Sequence, residues 1–386
     1  MGLVFVHGIG NRTGKGAYTE TVALRDALFE RFLIARALPA LAGTEIRNPM
    51  WGDIGAHLRW KHASLPRGRR EKLGADVGEL ADLYSAVGGV PGRSLAGLAP
   101  ADAVDFLFTV ADLRGRSAAE IEDLADYAVA LADGCGDGTA PAAGDEAAQR
   151  DDAQVLDDLD RLAGHADRGG GDRERLGRQG RFRGLGRRVL AAGLRRFRQQ
   201  ELGLPAKLAA SALRRLGSEN VSLLIGDVFE YLTTRGTREQ PGEIVELVCA
   251  DLDRASQDGP LVIVAHSMGG NIVYDILSHF RPDLEVDVFV TVGSQVGLFE
   301  ELSLFRASDR TPPADQVPPR VTAPEKVRHW INVVDPADVL AYRADPVFAG
   351  PVEYDYPSEE PWAHTAYFRQ PMFHKRLAAR VGEALA

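Results

Sequence analysis

The sequence has 386 residues, 45% of them hydrophobic, and a formal net charge of −10. That length and apolar content suit one large α/β domain with an insertion, or two domains, and exclude a chain too polar to build a core. The acidic balance argues against general nucleic-acid binding, and two cysteines, Cys135 and Cys249, are too few for a disulfide framework and suit a reducing compartment.

Met1-Gly2 leads directly into Leu3-Val4-Phe5-Val6, with no charged segment followed by a leader-like apolar stretch. No apolar run reaches the ~18 residues that a membrane helix needs. The expectation is a soluble, cytoplasmic protein without a transmembrane segment. Leu3 to Val6 reads as a buried strand, stopped by His7-Gly8-Ile9-Gly10-Asn11-Arg12. Ala17 to Leu38 reads as a helix with Val22, Leu28, Phe29, Phe32 and Leu33 on one face, closed by Pro39. A phosphate loop fails on spacing: Ile9 stands five positions before Gly14, and Gly16 stands where a metal-binding Ser or Thr is required. The better reading is an oxyanion loop. Histidine-glycine after the first strand turns the backbone so that the Ile9 N–H faces a nucleophile, and small residues permit the approach. Thr44 to Trp51 reads as a second strand.

After Trp51 the α/β rhythm is lost until about residue 220. Asp102 to Leu113 carries Val104, Leu107, Phe108 and Val110 at helical spacing. Ser117-Ala118-Ala119-Glu120 has the form of a capping box for a helix through Leu131. Gly134 to Asp145 reads as a linker, and Val155, Leu156, Leu159 and Leu162 as a short amphipathic helix. Arg168 to Arg198 holds eleven arginines and no lysine. Such a stretch could meet an anionic surface, but it also neutralises the acidic segment before it. Its interspersed glycines favour that plainer, solvated reading.

Regularity returns at Val221-Ser222-Leu223-Leu224-Ile225, read as a strand, and Pro241 to Ser256 is an amphipathic helix. Then comes the most informative stretch. Leu261-Val262-Ile263-Val264-Ala265 is an unbroken apolar run that ends at His266-Ser267-Met268-Gly269-Gly270, and Asn271 to Leu277 has helical spacing. Strand, sharp turn and helix with a serine at the corner is a nucleophile elbow. The turn lifts the hydroxyl out of the sheet, and small flanking residues let strand and helix pass closely. Further strands at Val286–Val292 and Val327–Val334 end in Gly293-Ser294 and Asp335-Pro336-Ala337-Asp338. A last extended piece, Val352 to Tyr356, precedes His364, and Phe373 to Leu385 is a closing helix. Strands alternating with helices imply a mostly parallel sheet with functional residues at its strand C-termini.

Three such ends supply Ser267, then Asp335 or Asp338, then His364, in the chain order of α/β-hydrolases. His364 is the best base because it sits in a loop after the last strand. His266 adjoins the serine but is expected to point away from it, His7 shapes the oxyanion loop, His329 lies in a strand and His374 begins a helix. One aspartate would orient the imidazole, while the other would cap the turn.

On these residues the chain resembles the α/β-hydrolases of the lipase/esterase type, near the GPI inositol-deacylase-like serine esterases. The resemblance rests on Val4 to Gly10, Ile225-Gly226-Asp227-Val228, Ala265 to Gly270, Trp330 to Asp338 and His364-Thr365-Ala366-Tyr367-Phe368. Alanine at 265 departs from the usual glycine. The resemblance implies Ser267 as nucleophile, Asp338 as acid, His364 as base, and the N–H groups of Ile9 and Met268 as oxyanion donors. It is silent about the middle of the chain; the reading adopted is an α/β-hydrolase core over 1–51 and 219–386, with 52–218 expected as a helical insertion capping the strand ends. The expected reaction is hydrolysis of a small or lipid-like carboxylic ester through an acyl-enzyme, with no metal or organic cofactor. An acyltransferase or peptidase would use the same triad, and a non-catalytic binding module would keep the fold without the chemistry.

Overall fold

Strands that are apolar on both faces must be covered on both faces, which is the condition for a parallel sheet. A computed structural model of the chain describes residues 2–13, 17–59, 100–110, 117–135, 222–223, 225–257, 259–311, 317–358 and 363–386. Five strands, β1 (Gly2–Val6), β2 (Leu261–His266), β3 (Val286–Val292), β4 (Val327–Val334) and β5 (Val352–Asp355), lie side by side in that order, all parallel. Val4 pairs with Ile263, Ile263 with Phe289, and Phe289 with Trp330. Every residue of β1 is buried, whereas β5 is short and half-exposed, as suits an edge.

The described helices include α1 (Ala17–Leu28), α2 (Pro100–Val110), α3 (Ala118–Gly134), α4 (Glu243–Ser256), α5 (Met268–Asp275), α6 (Val296–Glu301), α7 (Ala363–Ala366) and α8 (Pro371–Leu385). α1 continues through a π turn at Phe29–Ile34, whose Phe29, Phe32 and Leu33 are buried. α4 packs on β1 and β2, and α5 crosses β1, β2 and β3. Their buried side chains form one core with Val4, Val6, Ile263, Phe289 and Trp330. On the opposite face Phe5 meets Phe29 and Phe368, with ring centroids at 5.9 and 4.9 Å. The architecture is α/β.

The chain divides into two compact units, one of residues 1–56, 226–369 and 373–386, the other of 57–225 and 370–372. In the second unit the Ser117–Glu120 capping box forms as the spacing predicts, and Val104, Leu107 and Phe108 of α2 are fully buried. The Gly134–Asp145 linker lies outside the described residues beyond Cys135. The Val155–Leu162 helix and the Arg168–Arg198 stretch lie outside them altogether. Among the described residues, no helix is long and apolar enough to cross a membrane.

Two expected strands are corrected. Thr44 to Trp51 makes only a one-residue parallel bridge, Arg47 to Val4. Pro49 has no N–H to extend it, and the Asn48 side chain turns back to the Ile46 carbonyl at 2.9 Å. The run at Val221–Ile225 leads into a helix: residues 222–223 and 225–234 are helical, with Tyr231 buried inward and Phe229 exposed. A short apolar run does not distinguish strand from helix by periodicity alone.

The Arg47 bridge has a topological consequence. The chain leaves β1 towards Arg47 on one side, while β2 lies on the other. The C-terminal end of β1 is therefore a switch point, where open α/β sheets place their ligand crevices.

Candidate active site

Ser267 follows the last residue of β2 and has φ 53° and ψ −128°. A non-glycine residue held there costs of order 1–3 kcal/mol and persists only where its surroundings enforce it. They do so from two sides. The Ser267 N–H still donates to the Val292 carbonyl at 3.0 Å, continuing the ladder to β3. α5 starts immediately afterwards and crosses the end of β1 so closely that a Cβ on Gly269 would lie 2.3 Å from the Val6 carbonyl oxygen. As the first residue of α5, Met268 presents an N–H that has no partner within the helix.

The serine hydroxyl does not stand alone. His364, in α7, places Nε2 2.9 Å from Ser267 Oγ. Its Nδ1 lies 2.8 Å from Asp338 Oδ2 and 3.1 Å from Oδ1. Asp338 also accepts from the Leu340 N–H at 2.9 Å and from the Tyr367 hydroxyl at 3.0 Å. Burial pushes this carboxyl up, but the hydrogen bonds from His364, Leu340 and Tyr367 outweigh it and hold it below the usual carboxylate range. The loop that carries Asp338 is tied down by Gln295, which donates to the Leu340 carbonyl at 2.6 Å and accepts from Asn271 of α5 at 3.0 Å.

Asp335 goes elsewhere. Its carboxylate accepts from the Ala337 N–H at 2.8 Å, the Ser358 N–H at 2.8 Å and the Ser358 hydroxyl. Its own N–H donates to the Tyr367 hydroxyl at 2.9 Å. Of the two candidate acids, the structure brings Asp338 to His364 and leaves Asp335 capping the turn.

The loop after β1 presses against the serine. A Cβ on Gly8 would lie 2.8 Å from Ser267 Cβ, so only glycine allows this approach. His7 is buried, stacked on Trp51 at 5.1 Å, and donates from Nδ1 to the Gly8 carbonyl at 2.7 Å. Trp51 Nε1–H donates to the His7 carbonyl at 2.7 Å. Among the described residues, the Ile9 N–H has no hydrogen-bond acceptor. An amide in this position is available to a ligand oxygen at the switch point.

His266 lies against His364. Its ring centroid is 4.9 Å from that of His364, and its Nε2–H donates to the His364 carbonyl at 2.8 Å. α7 and the turn after it cross the end of β2 on this side, which the sequence position alone does not reveal. Tyr367, Gln295 and Trp51 are further supports with no signal of their own in the sequence.

Three histidines are held without charge: His7 and His374 are buried, and His266 is part-buried beside His364. Burial lowers His7 to about 4, His266 to about 3 and His374 to about 4. Their unfolded values are near 6.5, so between pH 6.5 and 4 the unfolded chain binds the extra protons. Stability is full above about 6.5 and falls as pH drops, by up to ~1.4 kcal/mol per pH unit for each histidine. Urea midpoints are expected to hold from pH 7.5 to about 6.5 and to decline from there to pH 5. A flat profile would mean these rings are charged or exposed in the native state.

No protein family, no curated protein and no solved structure matches this chain, so any reading of the site rests on its residues and their geometry.

Proposed function

We propose that the protein is a serine hydrolase of the α/β-hydrolase fold that cleaves a carboxylic ester through an acyl-enzyme. One observation carries the reading: an unbroken hydrogen-bonded chain from Asp338 through His364 to Ser267 Oγ, ending on a serine held at positive φ. In this reading His364 Nε2 takes the hydroxyl proton as Oγ attacks the ester carbonyl. Asp338 holds the tautomer with hydrogen on Nδ1 and stabilises the imidazolium that forms. The developing oxyanion is received by the N–H groups of Ile9 and Met268. His364 then returns the proton to the leaving alcohol oxygen, and water repeats the sequence on the acyl-enzyme. A small-molecule or lipid-like ester is the proposed substrate class. Tyr367, which touches both aspartates, keeps the acid loop in register with α7.

The test is covalent labelling with a fluorophosphonate probe, read by peptide mass spectrometry. Modification of Ser267 alone in the folded protein, abolished by prior heat denaturation, is the expected result. A folded protein that leaves Ser267 unmodified overturns the reading and favours a binding module on the same fold.

A further inference from the structure

A fully buried carboxylate lies beside the loop that approaches Ser267, and nothing in the proposed chemistry uses it. Asp227, near the start of the 225–234 helix, is 0% exposed. Its Oδ2 accepts from the Gly10 N–H at 3.1 Å. Its Oδ1 accepts from the Ala56 N–H at 2.8 Å and from the Arg12 guanidinium at 2.6 Å. Arg12 also donates to the Asn11 carbonyl at 2.9 Å. On the other side of Ile9, the Gly8 carbonyl accepts from the Asn11 side chain at 3.0 Å and the His7 carbonyl from Trp51 at 2.7 Å. Both neighbours of Ile9 are thus tied.

We infer that Asp227 is a positioning residue: with Arg12 it clamps Gly10 so that the adjacent Ile9 N–H stays fixed where the oxyanion forms beside Ser267. The inference rests on the serine-hydrolase reading. Burying an ion pair is a poor source of stability, because desolvation offsets most of the attraction. What this pair does provide is geometry. Two of the three donors to Asp227 belong to the loop that touches the nucleophile, and Gly10 is held at φ +76°. Preorganised donors act because they need not reorganise as charge develops, and a displacement of about 1 Å can cost ~10²-fold in rate.

Asp227→Asn tests this. A carboxamide has one acceptor oxygen, so its NH2 must face either the Gly10 amide or the Ala56 and Arg12 donors. In a variant whose circular dichroism matches the parent, kcat for a p-nitrophenyl ester is expected to fall about 10²-fold with KM within about threefold. Affinity for a boronic acid that forms a tetrahedral adduct at Ser267 is expected to fall in parallel, also by about 10²-fold. A merely structural role would leave that affinity in place, so a lower kcat with unchanged boronate binding overturns the inference. So does a parental kcat in Asp227→Asn beside an inactive Ser267→Ala. If Asp227→Asn does not fold, Arg12→Gln decides, since the Arg12 side chain is partly exposed and its loss leaves both backbone donors on Asp227. A parallel loss of about tenfold in kcat and boronate affinity is expected there, and no loss overturns the clamp. Parent protein that neither hydrolyses esters nor binds the boronate removes the hydrolase reading itself, and the inference with it.

Discussion

Ser267→Ala is expected to fold as the parent does and to lose hydrolysis of short p-nitrophenyl esters by a factor on the order of 10⁴ or more. Alanine is no bulkier than serine, and the turn is enforced from outside by the Val292 carbonyl and by the approach of α5 to β1. The His364 ring remains anchored through Nδ1 on Asp338. On the proposed mechanism, what disappears is the nucleophile alone. Any remaining rate reports the oxyanion donors acting on attack by water. The measurement is kcat with a parallel thermal melt. Parental turnover in a folded Ser267→Ala protein would place the chemistry elsewhere.

Asp338→Asn is expected to lower kcat by ~10³–10⁴ without unfolding the chain. The carboxylate accepts from His364 Nδ1, so that tautomer leaves Nε2 free to take the serine proton. An amide can turn its NH2 towards Nδ1 and favour the opposite tautomer, in which Nε2 carries the hydrogen and cannot act as base. Asp335→Asn is expected to lower kcat by no more than about tenfold, because its carboxylate holds Ser358 and Ala337 and makes no contact with the base. Its effect belongs in the melting temperature. Comparing the two variants separates the roles: kcat falls in the first, stability in the second. Reversed magnitudes would move the acid to Asp335.

Local sequence carried a large part of this molecule. The unbroken apolar runs at Leu3–Val6, Leu261–Ala265 and Val286–Val292 already read as strands of a covered parallel sheet. The paired Ser117 and Glu120 marked a helix start, and Gly269 marked a close crossing behind Ser267. Each signal depends on residues within one or two turns of one another, and spacing records that scale. Thr44–Trp51 and Val221–Ile225 misled for the same reason: a short apolar run fits a strand until Pro49 removes a donor or Tyr231 needs burial on a helical face.

What the tertiary structure decided lies at longer range. Asp335 and Asp338 are three residues apart in one loop, with equal claims on composition. Only the arrival of Ser358 at one carboxylate and of His364 at the other distinguishes them. His266 supports the base because α7 crosses above it, 98 residues along the chain. Asp227 meets Gly10 across 217 residues. The types of side chain a hydrolytic site needs were set by the sequence. Which of them meet was set by packing, because a hydrogen bond a few ångströms long between distant segments exists only once the sheet has brought their ends together.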